Sequence, residues 1–420
     1  RNNSKGTLMK TSMSFNCSIE TPDCKIDTII TAFKKALPLF LAEFTKTILE
    51  GYDKEVMSWA VKPFRCDQCG NNRDFIWKTM NAKSTTIFTI FGEIVLGQIQ
   101  IKCKVCDHKM FITRKLLEIF KYQKMSVTTK QMLAMIGSLI TFRVSEKVLG
   151  MFNIRLDKIT VWRCVQQVGE EIEFDLDLDE APKGQADGTG IPIQGIKKRG
   201  KELKVFIQEK LEGGVRIAGL SIGNYESGWN KLFDPILGTL KLFPSFLLVT
   251  DGDTNILKGI KSLNIIFQRC LWHIPHQMKY YLWKDGVKRK SREWLYVIGM
   301  LLDITAIRSL IIDEEEIAAV IEEKESRLEK VIKKCDENRW KKCATYLRNA
   351  APDMFTAFKK RLNGKTTSKV ERVMRTVNLR INVGKWSMKG ALNAMKIRLA
   401  HYYNGFDIED DRDDEISVAI

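Results

Sequence analysis

The sequence predicts an α+β chain of several domains. A mixed α/β core is interrupted by an all-helical insertion and preceded by a cysteine-paired β segment and a helical hairpin. Three observations predict this. The chain has 420 residues, 44% of them apolar, which exceeds one typical domain and suggests about two to four folded cores rather than disorder. Its pattern changes along the length, from strand-like runs over 64–112 to helical periodicity over 126–174. Alternating strands follow over 183–270, and helix throughout 271–360. No internal repeat or long low-complexity tract breaks that order.

Residues 1–60 form an N-terminal helical segment. Over 27–60, Ile29, Ile30, Phe33, Leu37, Leu41 and Phe44 fall near helical spacing and predict an amphipathic helix. The start, Arg1 to Lys5, leads into polar sequence without a signal-peptide pattern. Ala36 to Phe44 is too short, and too interrupted by Pro38 and Glu43, to span a membrane. Because the first residue is Arg1 rather than Met, a fragment or a trimmed reading frame is expected.

Residues 61–115 carry Cys66-x-x-Cys69 and Cys103-x-x-Cys106, four of the ten cysteines. Two such knuckles offer four soft ligands, the set that zinc holds in a tetrahedron, and argue against a disulfide scaffold. Residues 70–102 separate the pairs, more than the usual spacing of about 15–20. A hairpin fits inside the gap, with Glu93 to Ile101 expected to turn near Gly97-Gln98. Lys104, Lys109 and Arg65 flank the knuckles, so a zinc ribbon that contacts DNA and a purely structural zinc clip are both open. A redox pair is disfavoured, since no βαβ unit surrounds either motif.

Residues 116–178 predict a helix-turn-helix. Ser145 to Phe152 reads as the first helix with Ser145 as its N-cap, and a second runs from about Lys158 to Glu173. On the second, Ile159, Val161, Trp162, Val165 and Val168 alternate with Thr160, Arg163, Gln166 and Gln167, side chains that can reach phosphates or base edges. An ordinary helical hairpin is the alternative.

Residues 179–277 are the first part of the core. Strands are expected around Ile191, at Leu203–Gln208, Val215–Ile222, Ser245–Asp251 and Asn264–Arg269, with a helix over Trp229–Leu242. Residues 278–362 form the helical insertion. Residues 363–405 return to the core as a last basic helical segment, and 406–420 is an acidic solvated tail.

Three acidic residues stand out. Asp187 lies beside a strand in Gln185-Ala186-Asp187-Gly188, Asp251 ends the apolar run Phe246 to Thr250, and Glu371 opens a basic helix. Phosphodiester chemistry uses paired divalent ions, and Mg²⁺ (or Mn²⁺) prefers carboxylate oxygen, so three such groups could hold two ions. Singly, each has a plainer reading. Asp187-Gly188 and Asp251-Gly252 could be turns, and Ser368-x-x-Glu371 fits a capping box. A calcium loop at Asp251 fails, because Ile256 and Ser262 stand where Gly and Glu are needed. Asp253 is the reserve for the second ligand. Cys270 and His273, three apart at a helix start, could bind metal or pack the junction with the insertion. The formal charge of +17 points to a polyanion such as nucleic acid.

Taken in order, Asp187, Thr250-Asp251-Gly252, Cys270-x-x-His273 and Glu371-Arg372 resemble the Mutator-type superfamily of DNA transposases, including its insertion-sequence members. The basic run Arg372, Arg375, Arg380 and Lys385-Trp386-Ser387 is similar to the family's last segment, and the cysteine knuckles and helical hairpin to its front end. The resemblance covers roughly residues 60–405. It implies a ribonuclease H-like core with Asp187, Asp251 and Glu371 as catalytic ligands of two Mg²⁺ or Mn²⁺ ions. Arg372 and Arg375 join the hairpin in binding DNA. It implies hydrolysis at the element's ends to free a 3′-OH, then attack of that 3′-OH on target DNA. It further implies a homodimer or larger synaptic complex on terminal inverted repeats, in the cytoplasm with the nucleoid. Two alternatives stay open. One is a zinc-ribbon and helix-turn-helix regulator or inactive derivative that binds without cutting. The other is a related metal-dependent nuclease that cuts without joining.

Overall fold

The computed structural model describes residues 20–406 apart from 24, 118, 120–122, 153, 197–200, 226–227, 244, 254, 257–264, 308–313 and 363–365. The predicted acidic tail beyond Phe406 lies outside the described residues. The chain is α+β and divides into two compact units, one of the described residues up to Cys164, the other of those from Val165 onward. Among the described residues no helix is long and apolar enough to cross a membrane.

The first unit opens with α1 (Ile26–Ser58) and an antiparallel sheet of β1 (Phe75–Thr89), β2 (Gly92–Cys103) and β3 (Lys109–Phe111). A short α2 (Thr113–Leu116) precedes α3 (Val127–Leu139) and α4 (Phe142–Met151), and α5 (Lys158–Glu171) continues into the second unit. The core gathers Val56, Phe64, Ile99, Ile101, Met110 and Ile112. Three expectations change here. The α1 helix forms, yet Ile29, Ile30, Phe33 and Leu37 of its apolar stripe stay exposed, and its end at Val56 enters the core. The hairpin turns at Ile90-Phe91, where Thr89 pairs with Gly92 and Gly92 takes φ +110°. Gly97 instead lies inside β2 opposite Ser84, beside a register shift that relieves the strand without a turn. The N-cap of α4 is Thr141, whose Oγ1 accepts from Val144 N at 3.3 Å, while Ser145 is buried and its Oγ donates to Thr141 O at 3.1 Å. A buried hydroxyl inside a helix bonds back along the chain and cannot also serve as a cap.

The second unit is built on a five-stranded mixed sheet in the order β6 (Val215–Gly223), β5 (Lys201–Glu209), β4 (Lys183–Ile191), β7 (Phe246–Thr250), β8 (Ile265–Arg269). The first three strands are antiparallel neighbours, while β4, β7 and β8 run parallel. Consecutive antiparallel strands need only tight turns, and the parallel pairs need a crossover, which the sequence supplies between 224 and 245. The expected single helix there is broken into α6 (Trp229–Phe233), a 3₁₀ turn at Asp234–Ile236 and α7 (Leu237–Leu240). Pro235 brings no N–H to an α-helical ladder, which accounts for the break. Trp229, Leu232, Phe233 and Leu240 bury against Ala186, Phe206, Phe246 and Leu248 on one face of the sheet.

Beyond β8 the chain enters α8 (His273–Lys284), α9 (Arg292–Thr305), α10 (Glu314–Glu337), α11 (Lys341–Ala350) and a short α12 (Thr356–Lys359). These share their own core, including Met278, Leu282, Val297, Leu301, Leu328, Val331 and Leu347. Buried Gln268 of β8 fastens it to the sheet, since its Nε2 donates to Met354 O at 2.6 Å and its Oε1 accepts from Ala357 N at 2.8 Å. The last basic segment is two helices, α13 (Ser368–Ile381) and α14 (Met388–Tyr403). A turn with Gly384 at φ +87° separates them, a backbone region that glycine enters freely.

Candidate functional site

Asp187 sits within β4, paired with Val205 of β5, so Asp187-Gly188 is not a turn. The alternation of the strand puts Gln185, Asp187 and Thr189 on one face. Gln185 Oε1 accepts from Val370 N of α13 at 3.0 Å, and Thr189 Oγ1 donates to Asn378 Oδ1 at 3.2 Å. Four strand residues cover about 13 Å and eight helical residues about 12 Å. Strand and helix therefore run side by side, with Asp187 between the two tethers and Glu371 one residue past the first. The β4–β7 ladder ends at Gln185 and Val249, and Asp187 and Asp251 each stand two residues further on. Thus Asp187, Asp251 and Glu371 approach one another from the middle of β4, the end of neighbouring β7 and a facing helix. Their charges register the approach. Burial, then the negative charges of Asp251 and Glu371, push the Asp187 carboxyl up to about 7, against a hydrogen bond from Gly188 N that favours the ionised form.

Glu371 is in the first turn of α13, but no capping box forms. The N-cap is Thr367 rather than Ser368, and its N–H donates to Cys270 Sγ at 3.3 Å. Glu371 Oε1 instead lies 3.2 Å from His273 Nε2. Cys270 is buried among Leu247, Val249 and Ala357 and also accepts from Thr367 Oγ1 at 3.3 Å. Burial opposes ionisation of Cys270, yet bonds from His273 and Thr367 draw its pKa down. Burial likewise opposes charge on His273, but Cys270, Asp251 and Glu371 raise it to about 8. Cys270 thus packs against the sheet and Ala357, and His273 stands between the thiol and the Glu371 carboxylate.

The loop after β7 is tightly specified. Asp251 Oδ1 accepts from Asp253 N at 3.0 Å, and Gly252 has φ +95°. A Cβ on Gly252 would overlap the guanidinium of buried Arg269, whose Nη1 donates to Gly252 O at 3.2 Å. Asp253, the reserve ligand, is occupied in the loop, accepting from Trp229 Nε1 at 3.2 Å and Asn255 N at 2.9 Å.

Two groups went unforeseen. Gln185 and Glu209 form a buried network in which Gln185 Nε2 donates to Glu209 Oε1 at 2.9 Å. Lys183 and Lys369 reach Glu209 Oε2 at 3.1 and 2.6 Å. Glu202 pairs with fully buried Lys204, and a Cβ on Gly188 would strike its carboxylate. The first set has no local sequence signal, because its partners come from different elements; the second is an i, i+2 pair on β5, and nothing local marks Lys204 as buried. Around Glu371 a cavity of about 310 Å³ is lined by Trp272, Thr367, Arg372 and Arg375, both arginines being exposed. Those two, expected to bind DNA, line the same cavity as Glu371.

In the first unit the four thiols meet. Cys66 Sγ lies 3.5 Å from Cys106 Sγ, and Cys69 Sγ 3.6 Å from Cys103 Sγ. Among the described residues this is the group whose ligand atoms all lie within 4.8 Å of one another; the three carboxylates are not gathered so tightly. A tetrahedron with Zn–S bonds of about 2.3 Å has edges of roughly 3.8 Å, so the set fits zinc. Both knuckles close alike, Gly70 N donating to Cys66 O and Asp107 N to Cys103 O at 3.0 Å, with positive φ at Gly70 and Asp107. The wide spacing is explained by the hairpin, whose register pairs Phe75 with Cys103 and returns the second knuckle to the first. Burial resists ionisation of Cys103, but bonds from Asn71 and the N–H groups of Cys106 and Val105 bring it to about 6. Four thiols this close cannot all ionise without a cation between them.

On α5, Val161, Cys164, Val165 and Val168 are buried, whereas Ile159, Trp162, Arg163 and Gln167 are exposed and Thr160 is half-buried. Ile159 and Trp162 therefore share the outward face rather than the core stripe. Gln166 leaves the predicted DNA-facing set, since its Oε1 and backbone O both accept from Asn393 Nδ2 of α14, at 3.1 and 3.2 Å. Set against known proteins, the sequence matches no family model and no curated relative.

Proposed function

We propose that the chain is a metal-dependent DNA transposase of the Asp-Asp-Glu type, with Asp187, Asp251 and Glu371 as the catalytic carboxylates. The observation that carries this reading is their approach from distant parts of the sequence, where burial and then the charges of Asp251 and Glu371 raise Asp187 to about 7. Gathering like charges is unfavourable in itself, and cations between them offset the cost. The strand order β6-β5-β4-β7-β8, with β5 antiparallel to both its neighbours, is compatible with the ribonuclease H-like core that the resemblance implies, and supports the same reading. The donor set is hard oxygen, which suits Mg²⁺ or Mn²⁺, and three carboxylates could hold a pair of ions about 3.5–4 Å apart. Bound there, the ions would supply charge stabilisation at the attacking and leaving oxygens of a phosphodiester displacement.

The protein's own groups do the rest. Gln185 and Thr189 hold α13 in register, so that Glu371 is presented to Asp187. His273 orients the Glu371 carboxylate and can hold a proton near neutral pH. Arg372 and Arg375 offer a rim for phosphate, and Arg163 and Gln167 of α5 an exposed polar face for duplex DNA. The thiol cluster fastens the first unit.

The test is nicking of supercoiled plasmid with and without Mg²⁺ or Mn²⁺. A second arm is joining of duplex ends taken from the DNA that flanks its gene. Metal-dependent nicking and joining are expected, with Asp251→Asn and Glu371→Gln each reducing both by roughly 100-fold or more while duplex binding persists. Binding without nicking would leave a regulator, and nicking without joining a nuclease.

A further inference from the structure

Helix α8 leaves the carboxylate site with its inner face, Ile274, Met278 and Leu282, in the core of the helical insertion. Its outer face is not the usual polar surface. Trp272, His276, Tyr280 and Trp283 follow at helical spacing on one side, and Trp272, Tyr280 and Trp283 are 52%, 50% and 70% exposed. The rings are ordered among themselves. Trp272 stacks on His276 at 3.9 Å, Tyr280 stacks against Trp283 at 6.0 Å, and Lys284 Nζ lies 4.4 Å from the Tyr280 centroid. The row begins at Trp272, in the cavity with Glu371, Arg372 and Arg375, and ends beside the exposed run Lys288-Arg289-Lys290.

We propose that this face of α8 is a stacking platform for a single strand of DNA at the carboxylate site. The proposal rests on the reading of the chain as a DNA-cutting enzyme and names the strand that the site engages. Flat rings left open to solvent gain from unpaired bases, each of which offers a π-face. A duplex hides those faces and presents phosphates, for which cations alone would serve. The cations at both ends of the row suit the strand's backbone. The helix is about 18 Å long, room for a few bases from the cutting site outward. A second copy of the chain would set like charges against each other across a two-fold contact, which disfavours that occupant.

The experiment measures oligo-dT and duplex affinity of the full chain by fluorescence anisotropy, without added divalent cation. The Tyr280→Ala/Trp283→Ala variant should bind oligo-dT roughly 10- to 100-fold more weakly, with unchanged duplex affinity and melting temperature. Trp283→Phe, which keeps a ring, should restore most of the binding relative to Trp283→Ala. Oligo-dT affinity equal to the parent's, or an equal loss on duplex, would overturn the platform. So would a variant that turns a dimer into a monomer without weakening oligo-dT. Plasmid nicking by the parent separates the two readings. Ring-dependent oligo-dT binding without nicking sinks the enzyme and leaves the platform, whereas nicking with ring-independent binding does the reverse.

Discussion

Asp187 is where sequence and electrostatics meet most directly. A carboxyl raised from 3.8 to about 7 binds a proton in the folded chain that it would release when unfolded, between those two pH values. Stability therefore falls as pH rises from about 4 to about 7, and the penalty is fully present above that range. Asp187→Asn removes the charge and keeps an acceptor for Gly188 N. Without added Mg²⁺ it should be more stable than the parent at pH 8, by at most about 4 kcal/mol, with the difference vanishing near pH 4. Thermal unfolding across pH checks this, and a variant equally or less stable at pH 8 would mean that burial and the neighbouring charges do not penalise an ionised Asp187. The three carboxylates were legible because each has a local mark: a strand flanked by glycine, the end of an apolar run, a basic helix start. Gln185 and Glu209 had none. A buried glutamine in a strand looks like any polar residue until its partners on β5 and α13 are known. Glu371 shows the converse, since its capping-box pattern is genuine in sequence and unused in the fold, its place at the N-cap amide taken by Cys270.

At the scale of elements, the site depends on how α13 is held against β4. Val370 N and Glu209 both rely on Gln185, and both are buried with it. Gln185→Leu is close in size, so it leaves little cavity but takes the partner from buried Val370 N and from Glu209 Oε1, whose Oε2 keeps Lys183 and Lys369. The expected cost is about 2–4 kcal/mol, and nicking should fall although no carboxylate has changed. Conversely, Gln185→Glu keeps an acceptor for Val370 and places a second charge on Glu209, and should fail at high pH more than at low. A Gln185→Leu chain with parental melting and nicking would show that α13 is held elsewhere. The existence of the strands was legible from apolar runs, because those reflect burial on both faces, whereas their order in the sheet is seen only in the fold. Boundaries were not. The hairpin turn fell at Ile90-Phe91 because cross-strand register, not the presence of glycine, decides where a ribbon reverses. Thr141 rather than Ser145 caps α4 for a related reason: either hydroxyl can cap, and packing chose which one was buried. The face of α5 was misjudged at Ile159 and Trp162 because alternation along a helix does not say which side meets a neighbour.

Over the whole molecule, two units hold two different candidate cation sites, and that separation can be tested. The first unit has a core that includes Val56, Phe64, Ile99, Ile101, Met110 and Ile112, beside four thiols within 4.8 Å of one another. Zinc bound by those thiols would contribute folding energy directly. The second unit has a sheet core and a helical core of its own, so its folding does not need the carboxylates filled. Two calorimetric transitions are expected. A zinc chelator, or Cys66→Ser with Cys106→Ser, should lower the first and leave the second. Elemental analysis should find about one zinc per chain. Mg²⁺ should act on the second alone, because a cation that binds the folded state raises its melting in proportion to occupancy. At ten times its dissociation constant that is about 1.4 kcal/mol, or roughly 3–6 °C for a unit of this size. Glu371→Gln should abolish that rise. If chelation collapses both transitions together, the units are energetically one. If Mg²⁺ shifts neither, the carboxylates do not bind it, and the enzymatic reading loses its support whatever the thiols hold.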